Sequence, residues 1–308
     1  LRSGWITSGP KTLEFEKELS EYNRTNQTVC VNSATAGLEM VLRLFGVGEG
    51  DEVITSAYTY TASARVIDHV GAKIVLCDVE KDSFFMDKEQ LSTLINEKTK
   101  AIIPVDIGGV MCDYEALFNI IEEKKDLFKP KGELQEKLGR ILILADGAHS
   151  LGAKYKGKFS GSVADFTIFS FHAVKNLTTA EGGAITWKDH SGFEDEDIKR
   201  SLKLLTLHGQ TKDALTKSDL GAWEYDIEVL GYKNNMTDIA AALGLSQLKR
   251  YEETLKERAE NLKAYMAGLQ CEKLDFLVHD DGDARSSKHL FMVLVKDKNE
   301  AFRNNLIK

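Results

Sequence analysis

The feature that most constrains this chain is a series of short apolar runs without in–out alternation, each followed by a segment with helical spacing. The most apolar is Arg140-Ile141-Leu142-Ile143-Leu144-Ala145. A strand that is apolar on both faces must be covered on both, which is the condition of parallel strands whose crossover helices lie over the sheet. Strands are also read at 28–32, 52–55, 73–78 and 101–105, with helices at 35–45, 61–70 and 114–124 between them. Leu38, Val41, Leu42 and Phe45 fall on one face of the second helix and Gly46 stops it, while Phe15, Leu19 and Tyr22 mark an earlier helix. Strands at 165–169 and 184–187 are separated by a loop with a Gly182-Gly183 turn, so they are expected to be antiparallel neighbours. The expectation is therefore an α/β fold with a mostly parallel sheet between helical layers.

Residues 126–139 are charged and read as a surface loop or helix extension. Residues 236–267 are expected as one long helix with the apolar stripe Ile239, Leu243, Leu248, Leu255 and Leu262 and a stop at Gly268; a break near Arg250 is the alternative. Strands at 276–278 and 289–295 then belong to a smaller domain, and a further helical pattern runs to Lys308. The expected division is an N-terminal arm (1–10), a large domain (11–235), a connecting helix (236–267) and part of a small C-terminal α/β domain (268–308), incomplete at 308.

The net charge of −8 argues against general nucleic-acid binding, which calls for a basic surface, but leaves room for one basic pocket. Cys30, Cys77, Cys112 and Cys271 are too far apart for a zinc knuckle or a redox pair, so buried free thiols and no metal site are expected. With no long apolar run and no leader-peptide pattern, a cytoplasmic location is the expectation.

Polar residues fall where strands end, which is where parallel α/β sheets bind ligands. Ser33-Ala34-Thr35-Ala36-Gly37 turns a strand into a helix, and its small side chains and free N–H groups suit a phosphate. Plain capping by Ser33 or Thr35 would look the same. Asp146 follows five apolar residues, where a carboxylate needs a partner such as a protonated pyridine nitrogen, or else caps the next turn. Lys175 follows the strand end Phe169-Ser170-Phe171; beside a pyridinium it would keep a usable neutral amine, against the ordinary alternative of a surface lysine. His149 could orient a phenolic oxygen or satisfy the core, and Tyr60 could stack on a ring or pack inside. A phosphate turn, an acid and a lysine together suit pyridoxal 5'-phosphate.

On these segments the chain resembles the DegT/StrS-type sugar aminotransferases, within the fold type I, aspartate aminotransferase-like enzymes with a three-layer fold. The likeness runs from Ser3-Gly4-Trp5 to Ala242-Leu243-Gly244-Leu245 and is most specific in Ser170-Phe171-His172-Ala173-Val174-Lys175-Asn176 with Glu181-Gly182-Gly183. It implies that Lys175 carries the internal aldimine, Asp146 pairs with the pyridine nitrogen and His149 sits by the ring oxygen. It further implies that Thr35, Ala36 and Ser170 hold the phosphate and that Tyr60 stacks on the ring. Such enzymes pass an amino group, usually from glutamate, to a nucleotide-linked keto sugar by a ping-pong mechanism. They are homodimers in which a partner loop, here Gly231-Tyr232-Lys233-Asn234-Asn235-Met236, reaches the phosphate. Membership would fit polysaccharide biosynthesis, with an amino-acid donor and a nucleotide sugar as partners and no membrane or nucleic acid.

Departures are Lys233 and Asn235, where many members have Asn and Arg, Ala34 in place of a turn glycine, and Asp106-Ile107-Gly108-Gly109 in place of a His-containing segment, a change expected to alter substrate contacts. The other readings are a sugar dehydratase, against which Lys175 stands because histidine is expected there, and a non-catalytic regulator that kept the fold.

Overall fold

The computed structural model describes all residues except Leu1, Ser3, Ser191, 213–223 and Asp283, so two positions of the expected arm lie outside the described residues. The chain begins with α1 (Pro10–Asn23), β1 (Thr28–Val31), α2 (Ala34–Leu44), β2 (Glu52–Ser56), α3 (Thr61–His69) and β3 (Lys73–Cys77). It continues through α4 (Lys88–Leu94), β4 (Thr99–Ile103), α5 (Tyr114–Glu123), α6 (Glu133–Leu138) and β5 (Leu142–Asp146). A small ribbon, β6 (Lys154–Tyr155) and β7 (Lys158–Phe159), precedes β8 (Phe166–Ser170), β9 (Gly183–Trp187) and α7 (Asp195–Thr206).

The main sheet has seven strands in the order β1-β9-β8-β5-β4-β2-β3. Strands β3, β2, β4, β5 and β8 run parallel, and β9 is antiparallel to both of its neighbours, β8 and β1. The β8–β9 pair is antiparallel as its connection required.

Side chains alternate between two layers. In β5, Leu142 and Leu144 pack with Val41, Val66 and Leu202 from α2, α3 and α7, while Ile143 and Ala145 pack with Leu91, Leu117 and Ile121 from α4 and α5. Toward β1, Cys30, Phe169 and Ala184 instead meet Phe15 and Leu19 of α1. Both faces are dry, which is why β5 reads as an unbroken apolar run.

The expected helix over 236–267 is two helices, α8 (Asp238–Leu248) and α9 (Tyr251–Gly268), with the break at Lys249 and Arg250. The expected stripe is corrected as well. Ile239 and Leu243 are 53% and 42% exposed, and α8 buries Ala241, Gly244 and Leu245 instead. The reason is a close approach of α1: a Cβ on Gly244 would lie 2.5 Å from the Phe15 ring. Asp238 also turns to α1, where its carboxylate accepts the N–H groups of Lys11 (3.0 Å) and Thr12 (2.9 Å). It thereby caps a helix whose own N-cap, Gly9, has no side chain to do so.

The charged stretch 126–139 contains α6, which Gly139 ends in the left-handed region at φ 67°. After α9 come β10 (Leu274–Phe276), β11 (Asp280–Asp281), β12 (Ala284–Arg285), β13 (Val293–Val295) and α10 (Glu300–Ile307). β10 pairs with β13, and β12 extends the β6–β7 ribbon. Residues 289–292, expected as strand, lie against the Gly108-Gly109 turn that follows β4 instead, for a reason given below. No helix among the described residues is long and apolar enough to cross a membrane.

Opposite the carboxyl ends of the parallel strands sits a buried ionic hub. Asp165, fully buried before β8, takes a two-pronged bond from Arg140 (2.7 and 2.8 Å), a salt bridge from Lys188 (3.0 Å) and the Ile143 N–H (2.9 Å). Both cations lie over the Phe118 ring. Burial alone would raise the Asp165 carboxyl, but Arg140, Lys188 and His190 bring it down to about 2.

Candidate active site

At the carboxyl ends of the parallel strands the sheet assembles residues from four connections. Asp146, the last residue of β5, is 6% exposed. Ser63 of α3 donates to its Oδ2 at 2.6 Å, and the Ala148 N–H donates to Oδ1 at 3.2 Å. Burial holds its carboxyl above the usual carboxylate range, opposed by Ser63, by Ala148 and by the charge of Lys175. Both oxygens are thus partnered by neutral donors, and the charge itself is left uncompensated at close range.

Lys175 stands in the loop from β8 to β9, which the Phe171 N–H ties to Gly182 O and the Thr179 N–H to Phe171 O, each at 2.9 Å. Burial lowers its amine below the usual lysine value, and Asp146 pulls the other way. Desolvation therefore disfavours both charges of this pair, and their attraction does not restore either. A lysine whose charge is disfavoured by burial, facing a buried carboxylate, suits a group with a protonated nitrogen and a carbonyl.

Ser33 is the N-cap of α2: its Oγ accepts the Ala36 N–H at 3.1 Å. Capping and anion binding therefore share this turn. The cap uses the Ala36 N–H assigned to a phosphate, and the N–H groups of Ala34 and Thr35 remain without helical partners. Gly183 passes directly beneath. A Cβ there would lie 2.7 Å from Ala34 N and Ser33 C and 2.9 Å from Phe169 O, all backbone atoms that cannot rotate away. Gly183→Ala is expected to cost about 1–3 kcal/mol by overpacking and to weaken phosphate binding, read by thermal unfolding and by pyridoxal phosphate titration.

His149 follows Asp146 by one turn. Burial, then Lys175, lowers its imidazole to about 3, so it is neutral at neutral pH. Its Nδ1 lies 3.2 Å from Gly108 N; that amide can only donate, so the ring proton sits on Nε2. Tyr60 is the N-cap residue of α3, three residues before Ser63, and is 79% exposed, which rules out core packing. Ser170 ends β8 opposite Gly183. Lys233 lies in a strip along β1: Asn32 N–H donates to Asn234 O at 2.8 Å and Val31 bridges to Asn235, one and two residues before Ser33. Its side chain donates to Asn235 Oδ1 at 2.5 Å, and burial lowers its amine.

The Asp106 segment, a departure expected to alter substrate contacts, is buried beside the site. Asp106 is 1% exposed, and Ile107, Gly108 and Gly109 are buried, so its side chain is not available to touch a substrate. Its Oδ1 accepts from Tyr114 Oη (2.9 Å) and Cys112 N–H (3.0 Å), and burial lifts the carboxyl to about 6. The residues that sequence reasoning missed are Ser63, Asn176, Ser287 and His289. Ser63 has a faint signal, its place one turn after Tyr60, and Asn176 has one in its place beside Lys175 in the most specific block; Ser287 and His289 have none before the chain is folded.

A mostly parallel sheet whose strand ends gather a desolvated lysine, a buried aspartate and a helix-capping turn defines the pyridoxal phosphate-dependent aminotransferases of the aspartate aminotransferase-like fold. The chain belongs to the DegT/DnrJ/EryC1/StrS aminotransferase family, whose model matches residues 1–308. It is 38% identical over 301 residues to the spore coat polysaccharide biosynthesis protein SpsC of Bacillus subtilis (strain 168), covering 97% of this chain and 72% of that one. It is 38% identical over 261 residues to the UDP-4-amino-4-deoxy-L-arabinose–oxoglutarate aminotransferase of Shewanella sediminis (strain HAW-EB3), covering 84% of this chain and 62% of the relative.

Among solved structures, the putative sugar aminotransferase Spr1654 from Streptococcus pneumoniae in its PMP form superposes with a TM-score of 0.95 at 52% identity, over 98% of this chain and 76% of that one. Spr1654 has also been solved in a PLP form. Helicobacter pylori PseC, an aminotransferase of pseudoaminic acid biosynthesis, gives 0.81 at 28% identity, over 98% of this chain and 74% of that one. The chain is a pyridoxal phosphate-dependent transaminase of the sugar aminotransferase type. Its residues fit that cofactor, since Asp146 lacks only a cation, Lys175 supplies an amine and Gly183 clears the turn for α2.

Proposed function

We propose that this protein moves an amino group, supplied by glutamate, to a keto sugar carried on a nucleotide, in two half-reactions at one site. The observation that carries the reading is the coupling of Lys175 to Asp146 at adjacent strand ends, where burial lowers the first, raises the second and each acts on the other's charge. When bound, pyridoxal phosphate supplies an aldehyde for amines and a ring that withdraws electrons from the substrate carbon.

The chain's residues do the rest. Lys175 would hold the aldehyde carbon and move the proton at the substrate carbon. Asp146, steadied by Ser63, would keep the ring nitrogen protonated. The His149 Nε2–H would donate to the ring oxygen. Thr35 and Ala36 at the start of α2, with Ser170, would hold the phosphate, and Tyr60 would cover the ring. Lys233 contributes a positive charge to the phosphate of the partner subunit, as a point charge rather than a fork.

The homodimer in this reading is supported by α8, whose Ile239 and Leu243 are exposed in the single chain, and by Leu230, 93% exposed in the loop before Lys233. Apolar side chains at such positions call for a covering surface. The cytoplasm is supported by Cys30, Cys77 and Cys112, all free and buried. Lys175 separates the reading from sugar dehydration.

The test is the absorption of protein mixed with pyridoxal phosphate, followed by glutamate and then by candidate nucleotide-linked keto sugars. A long-wavelength band that glutamate bleaches and a keto sugar restores is expected. A band that no amino donor bleaches sinks the amino-transfer reading.

A further inference from the structure

The Gly108-Gly109 turn carries a strap formed by residues 286–290. The Ser287 N–H donates to Gly109 O at 3.0 Å, and the N–H groups of His289 and Leu290 donate to Gly108 O at 3.0 and 3.2 Å. Gly109 is in the left-handed region at φ +93°, and a Cβ there would fall 2.2 Å from Ser287 Oγ and 3.1 Å from His289 N. Only glycine lets the strap lie this close. Ser287 Oγ donates to His149 O, and Arg258 of α9 donates to His289 O at 3.1 Å. This docking is why 289–292 is not strand.

The docking brings two imidazoles together. The rings of His149 and His289 have centroids 4.3 Å apart at an interplanar angle of 37°. A backbone amide fixes the proton on one ring and the Asn176 side chain fixes it on the other. The Gly108 N–H points at His149 Nδ1, so that ring is protonated on Nε2. Asn176 Nδ2 lies 2.8 Å from Ser287 O, a pure acceptor, so the amide oxygen is the end that faces His289 Nδ1 at 2.7 Å. His289 is therefore protonated on Nδ1. Asn176 is the residue next to Lys175.

We propose that His289 is a positioning residue for His149. The strap holds its ring against the His149 imidazole at a 37° tilt and, through Asn176, ties that pair to the Lys175 loop, so that His149 keeps one orientation and one tautomer with Nε2–H turned free. His289 thereby closes a ring of contacts that runs Gly108, His149, His289, Asn176 and back through the strap to Gly109. The positioning stands on these contacts alone; its consequence for the reaction rests on the reading that His149 faces the cofactor's ring oxygen. The charged and titratable groups that bear on the pair are Lys175, which lowers both rings, Arg258, which lowers His289, and Asp146, which acts on Lys175.

The experiment uses the cofactor-free chain labelled with ¹⁵N and ¹³C in histidine, with His149 assigned by the loss of its signals in His149→Gln. In the native protein His149 is expected to remain neutral and Nε2-protonated between about pH 5 and pH 8. In His289→Ala, removal of the covering ring is expected to raise the His149 midpoint by about one unit or more toward the free-histidine value and to populate the Nδ1–H tautomer. His289→Gln, which keeps a donor for Asn176 without the ring, and Gly109→Ala, which pushes the strap away while leaving both imidazole side chains in the chain, are expected to do the same. They carry the test if His289→Ala does not fold.

Folded variants in which His149 keeps its native midpoint and single tautomer would overturn the proposal. A second readout is the pH midpoint of the Lys175-dependent absorption band after addition of pyridoxal phosphate, expected to shift in His289→Ala while the band persists. If the native chain forms no such band, the functional reading fails, and the His149 titration still decides this one.

Discussion

Lys175→Ala is expected to lose turnover by roughly 10⁴-fold or more, because one residue is asked both to hold the aldehyde and to move the proton, and proton transfer alone contributes about 10²–10⁴-fold. The same change is expected to leave the fold intact. Burial already disfavours the Lys175 charge, so removing the amine takes away a cost rather than a contact, and the melting temperature should hold or rise slightly. The long-wavelength band on adding pyridoxal phosphate should vanish while phosphate-dependent binding through the α2 turn persists. Single-turnover kinetics with glutamate, absorption and calorimetry on the one variant separate these effects. A variant that still bleaches with glutamate at the native rate would remove Lys175 from the mechanism.

Asp165→Ala should do the reverse, with a large loss of stability from a residue at the other pole of the sheet. The substitution strands Arg140 and Lys188 in a buried setting and frees the Ile143 N–H. Breaking one partner out of a buried ionic group costs about 3–5 kcal/mol. The pH signature follows from the carboxyl's depression to about 2 from an ordinary 3.8. A depressed carboxyl contributes stability fully above its unfolded value and loses it as the pH falls through its folded value. The contribution, about 2 kcal/mol from the shift, is therefore complete above about pH 4 and disappears toward pH 2. Denaturant unfolding at several pH values should show this acid limb in the native chain and not in Asp165→Ala. A loss below about 1 kcal/mol would mean that the stacking of both cations on Phe118 already compensates for the hub.

The parts of this fold that were legible in the sequence share a physical character: each depends on residues a few positions apart. The run through β5 is apolar because alternate residues enter two different layers, and a reader sees the run without knowing the layers. Leu38, Val41, Leu42 and Phe45 all lie buried on α2 because helical spacing puts them on one face. Lys175, Asp146 and the Ser33 turn were legible for the same reason, since each lies at a strand end or within a few residues after one. The Asp106 segment shows the limit. It carries polar and glycine residues at a strand end, as a substrate loop would, yet its carboxyl is buried and its glycines serve the strap.

The sequence by itself determined the order of strands and helices, the antiparallel return at β9 and the strand-end placement of the acid, the lysine and the turn, because periodicity and adjacency are local quantities. Only the tertiary structure decided which residues finish the site. Ser63 meets Asp146 across 83 residues, Asp238 caps α1 across 226, and His289 reaches the residue beside Lys175 across 113. It also decided that α8 turns Gly244 inward and leaves Ile239 and Leu243 outside, because the choice of buried face depended on how closely Phe15 could approach. Contacts of this kind are set by the packing of whole layers, and no short stretch of the chain carries their signature.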